Sequence, residues 1–349
     1  VKNNRLLIVI IPALALLCCC VDRVAAGTRS PAPHYATMGG GFRYGFPPGI
    51  EKRGVWFAGR RIHLSRKDIR DRVLKEINYL LLDRRSRVRV WLYRAHEYSS
   101  VILPILSKYR VPREFIYLAA IESSYNSRAL SSAGAYGYWQ FIKATAKRGP
   151  SGSKEYDWAM AMSKWRDERA DLISSTHSAA RYLAWMNRKQ RITFPGNKKR
   201  QGFHDWLLTA AAYNAGPARI QQRMKEYGGS SYWDLPLPDE TEKYVPRWMA
   251  LGLISRYRKF YGLRVELPPK ISFERVRNVR LKKDLSFAAL ARLLDTTPRA
   301  VWALNTQVPP EKAVFPARYK GRGLKHTIYV PKGARKKLLA KLKAHGYTK

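Results

Sequence analysis

After Pro112 the chain runs through Phe115 to Ile121 as an almost purely apolar stretch and ends it in Glu122. Proline at a helix start forfeits no hydrogen bond, and such a run leaves a helix no polar face to turn outward. A helix of this kind is buried on most sides. Counting back three, four and seven residues from Glu122 puts Ala119, Leu118 and Phe115 on one face. The carboxyl then points toward apolar packing, where its ionised form is costly. Periodicity leaves a second orientation open, in which Glu122 lies one turn past the buried stretch and is solvated, as most glutamates are.

With 349 residues, 46% of them hydrophobic, the chain can bury more than one core. Lys2 and Arg5 precede an apolar run from Leu6 to Cys20, and Val24-Ala25-Ala26 offers small residues for cleavage. Residues 1–26 therefore read as an export leader, with a retained anchor or a lipidated cysteine as the alternatives. All three cysteines, Cys18, Cys19 and Cys20, lie in that segment, so a processed chain would have no disulfide and no catalytic thiol. Residues 27–52 are rich in Gly and Pro and read as a linker.

Helical periodicity follows. Val73, Ile77, Leu80 and Leu81 form one stripe, and Val88, Trp91, Leu92 and His96 another, predicting scaffold helices over residues 53–97 and beyond to about Tyr109. A larger unit covers residues 98–264. In it, helices are predicted over Tyr138 to Ala146, from a Ser174-Ser175-Thr176 cap to Arg188, over Trp206 to Asn214, and from Glu240 to about Tyr261. Pro268-Pro269 marks a boundary to residues 265–333, which read as β-α-α-β. Residues 334–349 are a basic tail that could be helical.

The formal net charge of +41 draws such a protein to a polyanion. The basic residues are scattered and no nucleic-acid module is recognisable, so no specific nucleic-acid partner is expected. For an exported chain the anionic candidates are the cell wall and the membrane surface. The seven histidines are isolated, and neither His-Glu-x-x-His nor Cys-x-x-Cys occurs. No metal, cofactor or phosphate-cradling loop is called for.

From Glu122 to Phe141 the chain reads Glu-Ser-Ser-Tyr-Asn-Ser-Arg-Ala-Leu-Ser-Ser-Ala-Gly-Ala-Tyr-Gly-Tyr-Trp-Gln-Phe. It closely resembles the Glu-Ser…Gly-Leu-(Met/Trp)-Gln pattern of lytic transglycosylases with a goose-lysozyme-like (SLT) catalytic domain. Ala211-Ala212-Tyr213-Asn214-Ala215-Gly216 and Glu240-Thr241-Glu242-Lys243-Tyr244-Val245 fit the same family, in the same order. Asp205-Trp206-Leu207-Leu208, Trp233 to Pro238 and Gly54 to Gly59 bring the likeness nearest to the membrane-bound D type. Asp284-Leu285-Ser286, Ala291 and Leu304-Asn305 resemble a LysM peptidoglycan-binding unit. The sequence departs in two places: Tyr138 stands where the family's Leu is usual, and Lys283 where a LysM Gly is common.

The resemblance implies a mainly α protein: a lysozyme-like α+β catalytic domain, N-terminal scaffold helices and a small βααβ LysM-like domain. It implies cleavage of peptidoglycan glycan strands between N-acetylmuramic acid and N-acetylglucosamine, with Glu122 as acid and then base. Ser123, Gln140, Tyr213, Asn214 and Tyr244 would bind substrate, Tyr213 also positioning Glu122. The expected protein is a monomer in the periplasm or cell envelope, associated with an anionic membrane surface in one version of this reading. Tyr136, Tyr138 and Trp139 are candidates for stacking on sugar rings or for core packing. Glu240 and Glu242 read as support for a helix N-terminus. Between Glu122 and Glu155 there is no acidic residue, which suits a one-carboxylate reaction, although Glu155, Asp157, Asp167, Glu168 and Asp171 stay open as partners. A goose-type lysozyme acting on the same bond, or a wall-binding protein without activity, are the alternatives.

Overall fold

The computed structural model describes residues 45–148, 159–194 and 198–349. The leader reading, most of the linker, and Glu155 and Asp157 lie outside the described residues.

Two apolar cores organise the chain, one drawn from Phe46 to Leu263 and one from Val276 to Leu342. The first begins with α1 (Ile50–Arg53) and a hairpin of β1 (Val55–Phe57) and β2 (Arg60–Ile62). Ala58 and Gly59 both take positive φ at its tip, the backbone that a two-residue hairpin turn requires. Phe57 enters the core edge-on against Trp248, 4.7 Å between ring centres. Phe46 and Ile50 are buried there too, so the end of the Gly/Pro-rich stretch belongs to the core.

α2 (Lys67–Leu82) and α3 (Arg85–Lys108) are the two scaffold helices, and the apolar stripes explain their packing: Val73, Ile77, Leu80 and Val88 are fully buried. α3 crosses residue 97, so scaffold and catalytic segment share one core. α2 packs on α9 (Asp239–Arg256), where Arg247 meets the buried Glu76 at 2.7 Å.

Between them come α4 (Ile116–Ser123), α5 (Lys143–Arg148), a two-residue ribbon β3–β4 (Met162–Ser163, Arg166–Asp167) and α6 (Leu172–Arg188). A second ribbon, β5–β6 (Arg191–Phe194, Lys198–Gln201), is followed by α7 (Trp206–Ala215) and α8 (Pro217–Tyr227). The cap of α6 is Asp171, which accepts from the amides of Ile173 and Ser174, and the serines expected as caps lie inside the helix. An aspartate carboxylate satisfies two orphan amides at once, whereas Ser175 donates back to Asp171 O within the helix. α7 begins at Asp205 in the same way. Gly216 ends it, and Pro217 at once opens α8, a helix the sequence reading left unassigned.

The helix expected over Tyr138 to Ala146 forms only from Lys143. Gln140 has φ +49, and Tyr136 bridges to both Leu130 and Phe141. Residues 129–141 are therefore a compact looped segment.

The second core is built on antiparallel β7 (Phe273–Arg280) and β12 (Lys325–Pro331), with Val276 opposite Ile328. β8 (Leu285–Ser286), α10 (Phe287–Leu294), α11 (Pro298–Leu304) and β9 (Val314–Phe315) lie between, followed by the ribbon β10–β11 (Arg318–Tyr319, Arg322–Gly323). The β-α-α-β order is thus present. The basic tail is α12 (Arg335–Ala344), which buries Leu338 and Leu342, four residues apart, in this core. The protein is mainly helical, with its sheets confined to short pairs.

Candidate active site

Five of the eight residues of α4 are buried and none is exposed, and the helix presents Glu122 where it stops. Ser124 and Tyr125 both take positive φ, so the chain reverses tightly just past the acid. Side chains hold that turn: Trp91 Nε1 donates to Ser124 Oγ at 2.7 Å, Arg94 donates to Ser124 O at 2.6 Å, and Tyr125 Oη donates to Ile116 O at 2.8 Å. Such φ values are costly for residues with a side chain, and these bonds offset that cost.

Glu122 is half-buried, its carboxyl set among packed groups. Burial is the main cause that pushes its pKa up to about 7; the exposed Glu240 adds to the rise, and a hydrogen bond from Tyr244 works against it. Tyr244 Oη donates directly to Glu122 Oε1. Of the two orientations that periodicity left open, the structure has the desolvated one. The carboxyl can therefore hold a proton near neutrality and release it on demand, the property of a general acid.

The other expected residues divide. Tyr213 lies close enough for Glu122 to help push its phenol upward, after burial. Its hydroxyl, however, donates to Trp139 O at 2.7 Å, so the phenol that holds the acid is that of Tyr244. Asn214 bridges Glu240 Oε1 at 3.2 Å and the Thr241 hydroxyl at 2.8 Å, joining α7 to α9. Ser123 is buried, and its hydroxyl donates to Tyr138 O at 2.8 Å and lies 3.2 Å from Ala119 O. It fastens the end of α4 to the loop and does not face an opening. Gln140 donates from Nε2 to Ala129 O and Gly137 O, both at 2.9 Å. That leaves its amide oxygen without a donor among the described residues.

Trp139 is core, with its indole donating to Thr176 at 3.0 Å, and Tyr138 is also buried. Tyr136 is half-buried under the Arg169 guanidinium, 5.0 Å from its ring centre. Gly137 is demanded by the fold: at φ +84 a Cβ would lie 1.9 Å from Arg169 O. Arg169 in turn donates to Gly134 O and Phe141 O, closing the loop on itself.

Of the carboxylates left open, the three among the described residues are otherwise engaged. Asp167 pairs with Arg169 at 2.7 Å, Glu168 pairs with Arg166, and Asp171 caps α6. The carboxylate that Glu122 does feel is Glu240, which the sequence reading assigned to helix support; Glu242 fits that support role, accepting from Leu237 N at 3.1 Å. The clue to Glu240 was its place in the third motif, four residues before Tyr244. A cavity of about 500 Å³ lies elsewhere, between α3, the start of α4 and the end of α9, and Glu122 is not among its walls.

Residues 101–236, which hold Glu122, match the family described as the transglycosylase SLT domain. Over 219 residues the chain is 32% identical to the membrane-bound lytic murein transglycosylase D of Escherichia coli, a match covering 62% of this chain and 43% of that protein. The chain thus spans less than half the length of that curated relative. Solved structures with partial likeness include an inactive mutant of the lytic transglycosylase Slt from Pseudomonas aeruginosa, 20% identical with a TM-score of 0.33 over 46% of this chain and 24% of that one. Another is the 70 kDa soluble lytic transglycosylase of Escherichia coli, 18% identical with a TM-score of 0.34 over 54% of this chain and 30% of that one.

Proposed function

We propose that this chain is a peptidoglycan lytic transglycosylase of the cell envelope, with Glu122 as its single catalytic acid and base. The observation that carries the reading is the desolvated Glu122 carboxyl held by Tyr244, inside a segment that matches the SLT family.

In this reaction the protonated Glu122 gives its proton to the oxygen between N-acetylmuramic acid and N-acetylglucosamine as the bond from that oxygen to the muramic anomeric carbon breaks. The resulting carboxylate takes the proton of the muramic C6 hydroxyl. The C6 oxygen closes on the anomeric carbon, giving a 1,6-anhydro ring and returning Glu122 to its acid form. No water is consumed, so no second carboxylate is needed to activate one. Tyr244 keeps the carboxyl in place through both transfers. The amide oxygen of Gln140, Asn214 and Tyr213 are the polar groups proposed to meet the sugars, with Ser123 acting through the loop it fastens. The C-terminal unit is proposed as a LysM-like wall-binding module on its β-α-α-β order, and the positive charge as the attraction to anionic wall or membrane.

Mass spectrometry of muropeptides released from purified wall tests this. The wild type is expected to release 1,6-anhydro-muramyl products, and Glu122→Gln to lose activity by about 100-fold to 10,000-fold. Reducing-end products would instead make the chain a lysozyme-type hydrolase. Wall binding with no products from the wild type would make it a binding protein.

A further inference from the structure

The C-terminal unit reaches the segment that supports the catalytic loop. Residues 167–171 lie behind that loop: Gly137 packs on Arg169 O, Arg169 donates to Gly134 O and Phe141 O, and Asp171 caps the helix whose Thr176 receives Trp139. The same five residues are gripped from the other side. Asp167 N donates to Gln307 O at 2.8 Å, Thr306 Oγ1 donates to Ala170 O at 2.6 Å, and Tyr329 Oη donates to Asp171 Oδ2 at 2.7 Å. Asp171 and Tyr329 are both buried, and burial is the leading cause raising the pKa of each.

The loop itself also meets the second unit. Tyr138, which stands where the family's usual residue is Leu, lines one small cavity together with Thr306 and Tyr329. Its own carbonyl receives Ser123, the neighbour of Glu122, and the next carbonyl receives Tyr213.

We infer that the C-terminal unit braces the active site, with Tyr138, Thr306 and Tyr329 as positioning residues that set the 134–141 loop against Glu122. The brace consists of main-chain and hydroxyl contacts into residues 167–171, with Tyr138 beside Thr306 and Tyr329 at one small cavity, and it is separate from any wall binding by the same unit. Its kinetic consequences rest on the transglycosylase reading; its structural consequence does not.

The test uses the full chain carrying Thr306→Val, Tyr329→Phe, Tyr138→Leu and the pair Thr306→Val with Tyr138→Leu. Asp295→Asn, which breaks a surface pairing with Lys337 and Lys341 in the second unit, is the control. Each brace variant is expected to lower kcat by about tenfold with little change in KM, as displacement of a positioned group does. The alkaline fall in activity should move to lower pH, because a looser loop hydrates Glu122 and burial is what raises its pKa. The double variant should depart from the sum of its parts, as residues that line one cavity do. The control should match wild type. Variants that unfold earlier yet keep kcat and the pH profile of wild type would overturn the brace, and so would an additive double. If the wild type cleaves no wall, amide exchange across 134–141 decides alone: faster exchange in the brace variants but not the control upholds it, and unchanged exchange overturns it.

Discussion

Glu122 is pulled in two directions by its neighbours, and each can be removed separately. Tyr244→Phe deletes the bond that lowers its pKa, so the alkaline limb of the pH–rate profile should move above about 7, with a lower maximal rate. Glu240→Gln deletes a like charge, so the same limb should move below about 7. Opposite shifts from two neutral replacements, read by pH–rate measurements, would locate the acid at Glu122 without touching it. Folding stability carries the same signature. Because the folded pKa lies above the ordinary 4.5, Glu122 favours the fold below pH 4.5 relative to high pH, and that contribution is lost as pH rises toward 7. Denaturant titrations should find Glu122→Gln equal to wild type near pH 4 and more stable by up to about 3 kcal/mol at pH 8. The helical count from Glu122 to Phe115 allowed an inward carboxyl but left the solvated orientation equally open. That Tyr244 and not Tyr213 holds it was not legible, because both stand in motifs and only the packing of α9 on α4 chooses between them.

At the scale of elements, apolar spacing was informative wherever a helix buries a continuous stripe, as α2, α3 and α7 do. It failed over Tyr138 to Ile142. The apolar residues there have helical spacing, but they are buried from a loop whose positive φ at Gln140 and close approach at Gly137 are imposed by Arg169, distant in sequence. Two glycines of that loop make the distinction testable by thermal unfolding. Gly137→Ala meets main chain and an unfavourable φ together and is expected to cost about 3 kcal/mol or more. Gly134→Ala, at φ +76 with open space around its Cβ, should cost about 1–2 kcal/mol, the backbone penalty alone. The short ribbons β3–β4 and β5–β6 were equally illegible, since two to four residues give alternation no room to show.

Across the whole molecule, +41 of net charge on the full sequence has a direct readout. Adsorption to purified wall should weaken steeply between about 50 and 300 mM salt, as the Debye length shrinks from roughly 14 Å to 6 Å. Cleavage of short neutral glycans should change far less over that range. The basic C-terminal segment looked like an appendage in composition, yet every fourth-residue leucine in α12 is buried, which a reading weighted by charge passes over. The contacts between the two units were outside any local pattern. Tyr138 showed as a departure from a motif, and Thr306, which lines the same small cavity, lies 168 positions further along.

The pairing of Asp171 with Tyr329 bears on how such chains can recombine. Modules shuffle freely between proteins when no side chain of one completes the other; a linker is then all that must be inherited. Here a carboxylate of the first unit and a phenol of the second complete each other, and a hydroxyl of the second reaches a main-chain carbonyl of the first nearby. A graft carrying only the catalytic segment would bring Asp171 with its partner exchanged. Substitutions at position 171 should therefore be found together with changes at 329 in any set of relatives that shares this junction.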